Sequence, residues 1–351
     1  MSSNSSVKRK SGIELLRIVS MILIILYHFV CFGFKNIGSL NIFSVNNFLL
    51  SFFWAGGKYG VSLFGLITGY FMIKSHVSFK KIVKLELQVL FYSISIMFLF
   101  FILGKKELSA DTLSTYFFPN YHQLYWFFSS YFLLYLLIPL LNFIFLRLKK
   151  EYFLLILGIL VAIFILIPSF NLMVNFKDGI YLFFYYIVGA YIRLFMEEVK
   201  SKKIFLFFGI LFYFLIIGST FVIQYLSHFN GILLDYIYSF TRLGSFLSFT
   251  SAIFLFLFFK DLELKNSGWI NRLAGVCFGV YLFHEHDYMR EFLWGELFDV
   301  NLFIGSPYFI FYSMFVVGII FIIGGIFEMI RCLIGKIIHY LYLDFKEFLS
   351  S

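Results

Sequence analysis

The sequence predicts an all-α fold, a polytopic membrane helix bundle of about ten transmembrane helices with both termini cytoplasmic. Three observations carry that expectation. The 351 residues are 61% hydrophobic and only 13% charged, against about 45–50% and about 25% in soluble domains. The apolar residues gather in stretches near the roughly 20 residues that a helix needs to cross a hydrocarbon core of about 30 Å. Lysine and arginine concentrate in alternate connections between those stretches.

In chain order the stretches run over approximately 12–34, 48–73, 87–104, 121–146, 151–168, 178–196, 204–226, 235–259, 273–293 and 308–334. The first follows the basic run Lys8-Arg9-Lys10, as a signal peptide would. It contains Arg17 and His28 and lacks a clear small-residue cleavage site, so it reads as a retained span. In the second, Lys58 and Tyr59 precede Gly60-Val61-Ser62-Leu63-Phe64, where glycine allows close helix contact. The third and fifth are short, and the fourth divides from the fifth near Arg147. The fourth opens on His122, Tyr125 and Trp126, which suits an interfacial aromatic belt. The sixth ends near Arg193, and Arg242 lies near the start of the eighth. The ninth carries a denser polar cluster. Domain organisation is simple: a cytoplasmic tail over 1–11, one membrane-embedded domain over 12–334 and a second cytoplasmic tail over 335–351.

The net charge of +9 raises the question of nucleic acid, but its placement argues for orientation in a bilayer. One set of connections holds Lys8, Arg9 and Lys10; Lys74, Lys80, Lys81 and Lys84; Arg147, Lys149 and Lys150; Lys200, Lys202 and Lys203; and Lys260, Lys265 and Arg272. The other holds only Lys35, Lys105, Lys106, Lys177 and Arg290. The positive-inside rule therefore puts both termini in the cytoplasm, and no nucleic-acid partner is expected. Cys31, Cys277 and Cys332 form no metal or disulfide pattern.

A charged side chain at the bilayer centre costs about 2.5–3.5 kcal/mol on insertion scales, so polar residues inside apolar stretches are informative. Arg17 and His28 are eleven residues apart. On an α-helix they fall within about 20° of one another, separated by roughly 16 Å along the axis. Both would face one cleft, Arg17 toward the cytoplasm. Glu14, one turn earlier, is a partner for Arg17, and His28 serves equally well as a hydrogen bond to a neighbouring helix. The ninth stretch reads Phe278-Gly279-Val280-Tyr281-Leu282-Phe283-His284-Glu285-His286-Asp287. His286 and Asp287 suit a wet helix end; His284 and Glu285 suit it less well. Histidines two apart do not share a helical face, so no metal site is expected.

These residues resemble the acyltransferase-3 family of bacterial integral membrane acyltransferases. Arg17 and His28 match its first-helix Arg-x10-His signature, and Gly60-Val61-Ser62-Leu63-Phe64 through Thr68-Gly69-Tyr70-Phe71 is similar to its second-helix stretch. Leu124-Tyr125-Trp126-Phe127 with Tyr131 and Pro139 looks like its Tyr-Trp-Phe helix. Phe278 to His284, followed by acidic Glu285, resembles its Phe-Gly-x-Tyr-Leu-x-His element. Lys81 and Lys84 stand where family members often carry two arginines; they keep the charge but lose the bidentate fork.

The resemblance implies a stand-alone O-acyltransferase of the bacterial plasma membrane, of the kind associated with exopolysaccharide or capsule. It implies acyl-CoA, usually acetyl-CoA, as co-substrate, with no permanently bound cofactor. The acceptor would be a hydroxyl of a polysaccharide or lipid-linked oligosaccharide. A desolvated imidazole stays neutral near pH 7, which suits His28 as general base or transient acyl carrier. Arg17 would bind the donor, with Lys81 and Lys84 as further donor contacts. Glu285 would orient a histidine or the sugar, with His284 beside it. Tyr125, Trp126, Tyr281 and Arg242 are candidates to line the cavity or meet the acceptor. A glycan or lipid transporter is the competing expectation, since cavity-lining polar residues serve transport too, but the repeated halves common in transporters are not visible.

Overall fold

The computed structural model describes residues 10–34, 40–171, 173–198, 201–265 and 267–350, with side chains described as far as 343. Most of the predicted tail over 1–11 lies outside the described residues, as do Lys35 and Lys200. Among the described residues the chain is helical, with no strand. The helices are α1 (Ser11–Gly33), α2 (Val45–Met72), α3 (Phe79–Ile102), the short α4 (Ala110–Phe117) and α5 (Trp126–Phe145). They continue with α6 (Lys150–Val161), which passes through a π-helical turn into α7 (Ile167–Phe170), then α8 (Asp178–Phe195) and α9 (Lys202–Ser227). Last come α10 (Phe246–Lys260), α11 (Gly268–Glu285), the short α12 (Asp287–Glu291) and α13 (Phe309–Ser350).

Each predicted stretch falls on a helix, but the helices are of two kinds. Among the described residues, seven segments are long and apolar enough to cross a membrane: α1, α3, α5, Lys150–Phe170, α9, Gly231–Lys260 and Phe309–Leu343. The most apolar of these, Lys150–Phe170, is also the least buried within the protein, as a lipid-facing helix should be. The other three, α2, α8 and α11, carry Lys58, Asp178, Arg193, His284 and Glu285. They sit inside the bundle: α2 packs between α1 and α8, and α11 between α1 and α13. Of these five side chains His284 and Glu285 are buried and Lys58, Asp178 and Arg193 half-buried.

The interior is divided into two apolar clusters. One gathers Leu66, Tyr185 and Phe256 from α2, α8 and α10; the other gathers Phe29, Val280 and Val316 from α1, α11 and α13. Close approach at the α2–α8 seam depends on glycine. A Cβ on Gly69 would lie 2.0 Å from the Tyr186 carbonyl oxygen, and one on Gly189 would lie 2.3 Å from that of Leu66. Both obstacles are backbone, so neither side can give without separating the helices. Gly69→Ala is therefore expected to destabilise the detergent-solubilised protein by at least the roughly 1–3 kcal/mol typical of overpacking. An unchanged thermal unfolding midpoint would contradict this packing.

Boundaries differ from expectation where helices leave the apolar stretch. α3 begins at Phe79, well before 87, because an exposed basic turn continues the helix outside the apolar segment. The segment read as a C-terminal tail over 335–351 continues α13 as far as Ser350. The ninth stretch, expected to be continuous over 273–293, breaks at His286, whose backbone is extended (φ −55, ψ 130). The His286 side chain then caps α12 by accepting from the Tyr288 N–H at 3.2 Å.

Candidate active site

A cavity of about 480 Å³ lies between α1, α2, α5 and α11. Along α1 its wall runs from Arg17 to Phe32, fifteen residues, or about 22 Å of helix axis. The expected stripe is real geometry: Arg17 and His28 both line this cavity. Glycine keeps the wall thin, since Gly57 of α2 faces the Tyr27 ring and leaves no room for a Cβ.

The chemistry gathers at the His28 end. His28 Nδ1 lies 3.1 Å from His284 Nε2, joining residues 256 positions apart. The same Nδ1 is 3.2 Å from Glu285 Oε2. All three residues are buried, at 7%, 0% and 2% exposure respectively. Proton positions follow from the partners. His284 Nδ1 lies 2.6 Å from the Val280 carbonyl oxygen, which can only accept, so the proton of His284 belongs on Nδ1. Its Nε2 is then an acceptor in the neutral ring. His28 Nδ1 faces that acceptor and a carboxylate oxygen, so Nδ1 carries the His28 proton. The lone pair of His28 is left on Nε2. His28 Nδ1–H is thus taken by His284 Nε2 with the Glu285 carboxylate beside it at 3.2 Å, and an imidazole held in this way with Nε2 unprotonated is placed to act as a base.

The far side of this cluster is held by a cation that sequence spacing does not reveal. Arg290, which enters the reading of the sequence only as an orientation charge, lines the cavity. Its Nη1 is 3.4 Å from Glu285 Oε1, and its guanidinium lies over the Phe32 ring at 4.8 Å. The helix break at His286 makes this possible, because α12 turns Arg290 back over the end of α11. Tyr116 braces the break: its hydroxyl donates to both Asp287 carboxylate oxygens at 2.9 and 2.8 Å, and its ring stacks on His286 at 5.1 Å. Outside, Lys106 pairs with Glu291 at 2.6 Å and lies over the Tyr288 ring. The same carboxylate raises the Lys106 pKa. His286 itself is fully buried, with Nε2 3.3 Å from the Ser93 carbonyl oxygen, so it is not a wet helix end.

The other expected site residues separate into two groups. Trp126 and Tyr281 line the cavity. Lys58 joins them, paired with Asp178 and lying 4.8 Å above the Trp126 ring. Tyr281 stands edge-on to His284 at 6.2 Å. Arg17 lines the opposite end, bound to Glu14 at 2.9 Å. Tyr125 is fully buried behind the wall, 6.2 Å from both Tyr281 and His286. Lys81 and Lys84 are exposed on the first turns of α3 and do not line the cavity, although Leu85 of that helix does. Arg242 lies in a separate depression beside Pro168 and Ser169.

His28, His284 and Glu285 are also ligand types for a cation, with candidate ligand atoms all within 4.8 Å of one another. This is not the His284–His286 pair, which the helix break directs apart. The Val280 carbonyl and the His28–His284 hydrogen bond already account for three of the four ring nitrogens without an ion. The protein's activity is accordingly expected to survive dialysis against a strong chelator, and activity lost to chelator and restored by zinc would contradict the hydrogen-bonded reading.

A multi-pass helical bundle around a buried His-His-Glu cluster, opening on a cavity long enough for an extended substrate, defines a membrane protein equipped for acid–base chemistry. The family described as "Acyltransferase domain" matches residues 10–325, and the chain belongs to this acyltransferase-3 family. It is a membrane acyltransferase. No curated protein and no solved structure matches it.

Proposed function

We propose that this protein moves an acyl group, in the simplest case acetyl, from acyl-CoA to a hydroxyl of a cell-surface or lipid-linked carbohydrate. The observation that carries this reading is the His28–His284–Glu285 cluster at one end of a cavity whose other end reaches Arg17. In this reading all ten helical stretches cross the plasma membrane and both termini are cytoplasmic, following the lysine and arginine bias. The acyl-pantetheine arm enters from the cytoplasmic side past Arg17 and brings its thioester to His28, most of the way across the bilayer.

There the acceptor hydroxyl loses its proton to His28 Nε2 as its oxygen attacks the thioester carbonyl. The oxyanion that forms is stabilised by the nearby cations Arg290 and Lys58. It collapses by breaking the carbon–sulfur bond, and the thiolate leaves with the proton from His28, as CoA. Glu285 stabilises the transient imidazolium. The same lone pair on Nε2 can instead take the acyl group first and pass it to the sugar; both routes need the same tautomer. Because the cluster lies toward the outer side, delivery to an extracytoplasmic acceptor follows naturally.

The test is acetylation of the producing cell's surface glycan by Arg17→Ala and His28→Ala variants. Loss in His28→Ala, with a raised KM for acyl-CoA in Arg17→Ala, is the expected pair of results. Normal acetylation in both would end the assignment. Arg17→Ala also leaves Glu14 buried without its partner, so its expression level must be compared with that of the Arg17→Ala/Glu14→Gln double variant.

A further inference from the structure

Three basic residues at the cytoplasmic end of the bundle are neutralised by carboxylate neighbours. Arg17 holds Glu14, Lys260 holds Asp261 at 2.7 Å, and Lys202 holds Glu263 at 2.5 Å. Another pair of cations converges instead on one buried hydroxyl. Lys10, the residue before α1, donates its Nζ to the Tyr70 hydroxyl at 3.2 Å. Arg193, in the last turn of α8, donates Nη1 to the same oxygen at 3.1 Å. Both cations also lie over the Tyr70 ring, Arg193 at 4.9 Å and Lys10 at 5.7 Å.

Two positive charges are thus held within two hydrogen-bond lengths of each other around one neutral, buried phenol. Among the described residues, neither makes an ion pair with a carboxylate. Glu197, which follows α8, offers its backbone carbonyl to Lys260. Converging like charges repel, and an arrangement that holds them together without a counter-charge is matched by a ligand bringing two or more negative oxygens. The place fits the cavity. Tyr70 stands two residues beyond Thr68, which lines it, and Lys10 stands seven residues before Arg17, about 10 Å further toward the cytoplasm along the helix.

We propose that Lys10, Arg193 and Tyr70 form a phosphate-binding site at the cytoplasmic mouth of the cavity. Resting on the acyltransferase reading, the phosphate is that of the nucleotide part of the acyl donor. Arg17, already occupied by Glu14, then contacts the neutral pantetheine arm. Phospholipid headgroups of the inner leaflet offer the same chemistry, so the test separates the two sources.

The full chain, purified in neutral detergent, is titrated with CoA and with pantetheine, which lacks phosphate. The proteins compared are the native one, Lys10→Gln, Arg193→Gln, the double variant and the charge-keeping Lys10→Arg. Each glutamine substitution is expected to weaken CoA roughly tenfold and the pair roughly a hundredfold, the scale of lost charge-assisted hydrogen bonds. Pantetheine binding should stay unchanged, which also shows that the variants are folded, and Lys10→Arg should hold CoA as the native protein does. Unchanged CoA affinity, with loss of co-purifying phosphatidylglycerol by native mass spectrometry, would keep the phosphate site and identify its ligand as lipid. Retention of both ligands by the double variant would overturn the site. That result alongside continuing acyl transfer would leave the acyltransferase reading standing, whereas absence of transfer by the native chain would strike that reading and leave the binding measurement valid.

Discussion

His28→Ala is expected to lower acyl transfer by about 10²–10⁴-fold, the range spanned by a positioned general acid–base group. CoA binding and the unfolding midpoint should change little. The prediction follows from what His28 does and does not support. It lines the cavity, so removing the ring enlarges an existing space more than it opens a void in a packed core. Its hydrogen-bond partner His284 keeps its bond to Val280. The lost function is the lone pair on His28 Nε2. His28→Gln should be as inactive as His28→Ala, because an amide restores bulk and a hydrogen bond but no base.

The second large effect is expected from Glu285→Gln, with kcat lowered by about 10²–10⁴-fold and KM for the donor nearly unchanged; the amide of a base-orienting acid costs up to about 10⁴-fold in an established acyl-transfer site. Glutamine fits the space, but its amide N–H₂ can donate toward His28 Nδ1, which favours the tautomer with the proton on Nε2, where the lone pair is needed. It also removes the charge that balances both Arg290 and the transient imidazolium. The acceptor Nε2 of His284 opposes the tautomer change, so the loss should be smaller than that of His28→Ala. A Glu285→Gln enzyme as active as the native one would show that the carboxylate only neutralises Arg290. The KM–kcat split matters here, because a merely structural defect would lower both activity and the yield of folded protein.

Much of this site is legible in the order of the residues alone. The eleven-residue interval from Arg17 to His28 fixes a shared face by helical geometry, and the cavity wall follows it. The polarity of the His284–Glu285 pair likewise marks it as interior. The meeting of His28 with His284 is not legible in this way. Nothing local in either helix encodes a contact between residues 256 apart; it depends on α1 packing against α11. Arg290 is hidden for another reason. A hydropathy pattern runs smoothly through 273–293, while the backbone turns at His286, and only that turn brings Arg290 back to Glu285. Lys81 and Lys84 illustrate a different limit, since sequence position does not reveal that the start of α3 holds them exposed and off the cavity wall.

Hydropathy also responds to the polar groups a helix carries, whichever way they face. The interior helices α2, α8 and α11 are not among the seven long apolar segments, because neighbouring helices, not lipid, satisfy their polar groups. α3 and α13 extend beyond their apolar stretches because a helix can continue past the hydrocarbon core. Reading spans from apolarity therefore locates the helices well and their ends poorly.

The most direct measurement is proton NMR of the surface glycan from cells lacking the endogenous protein and supplied with either the native chain or His28→Ala at matched membrane levels. O-acyl signals restored by the native chain and absent with His28→Ala are the expected result. Equal O-acyl signals from both, or none from the native chain, would contradict acyl transfer to carbohydrate by the imidazole of α1.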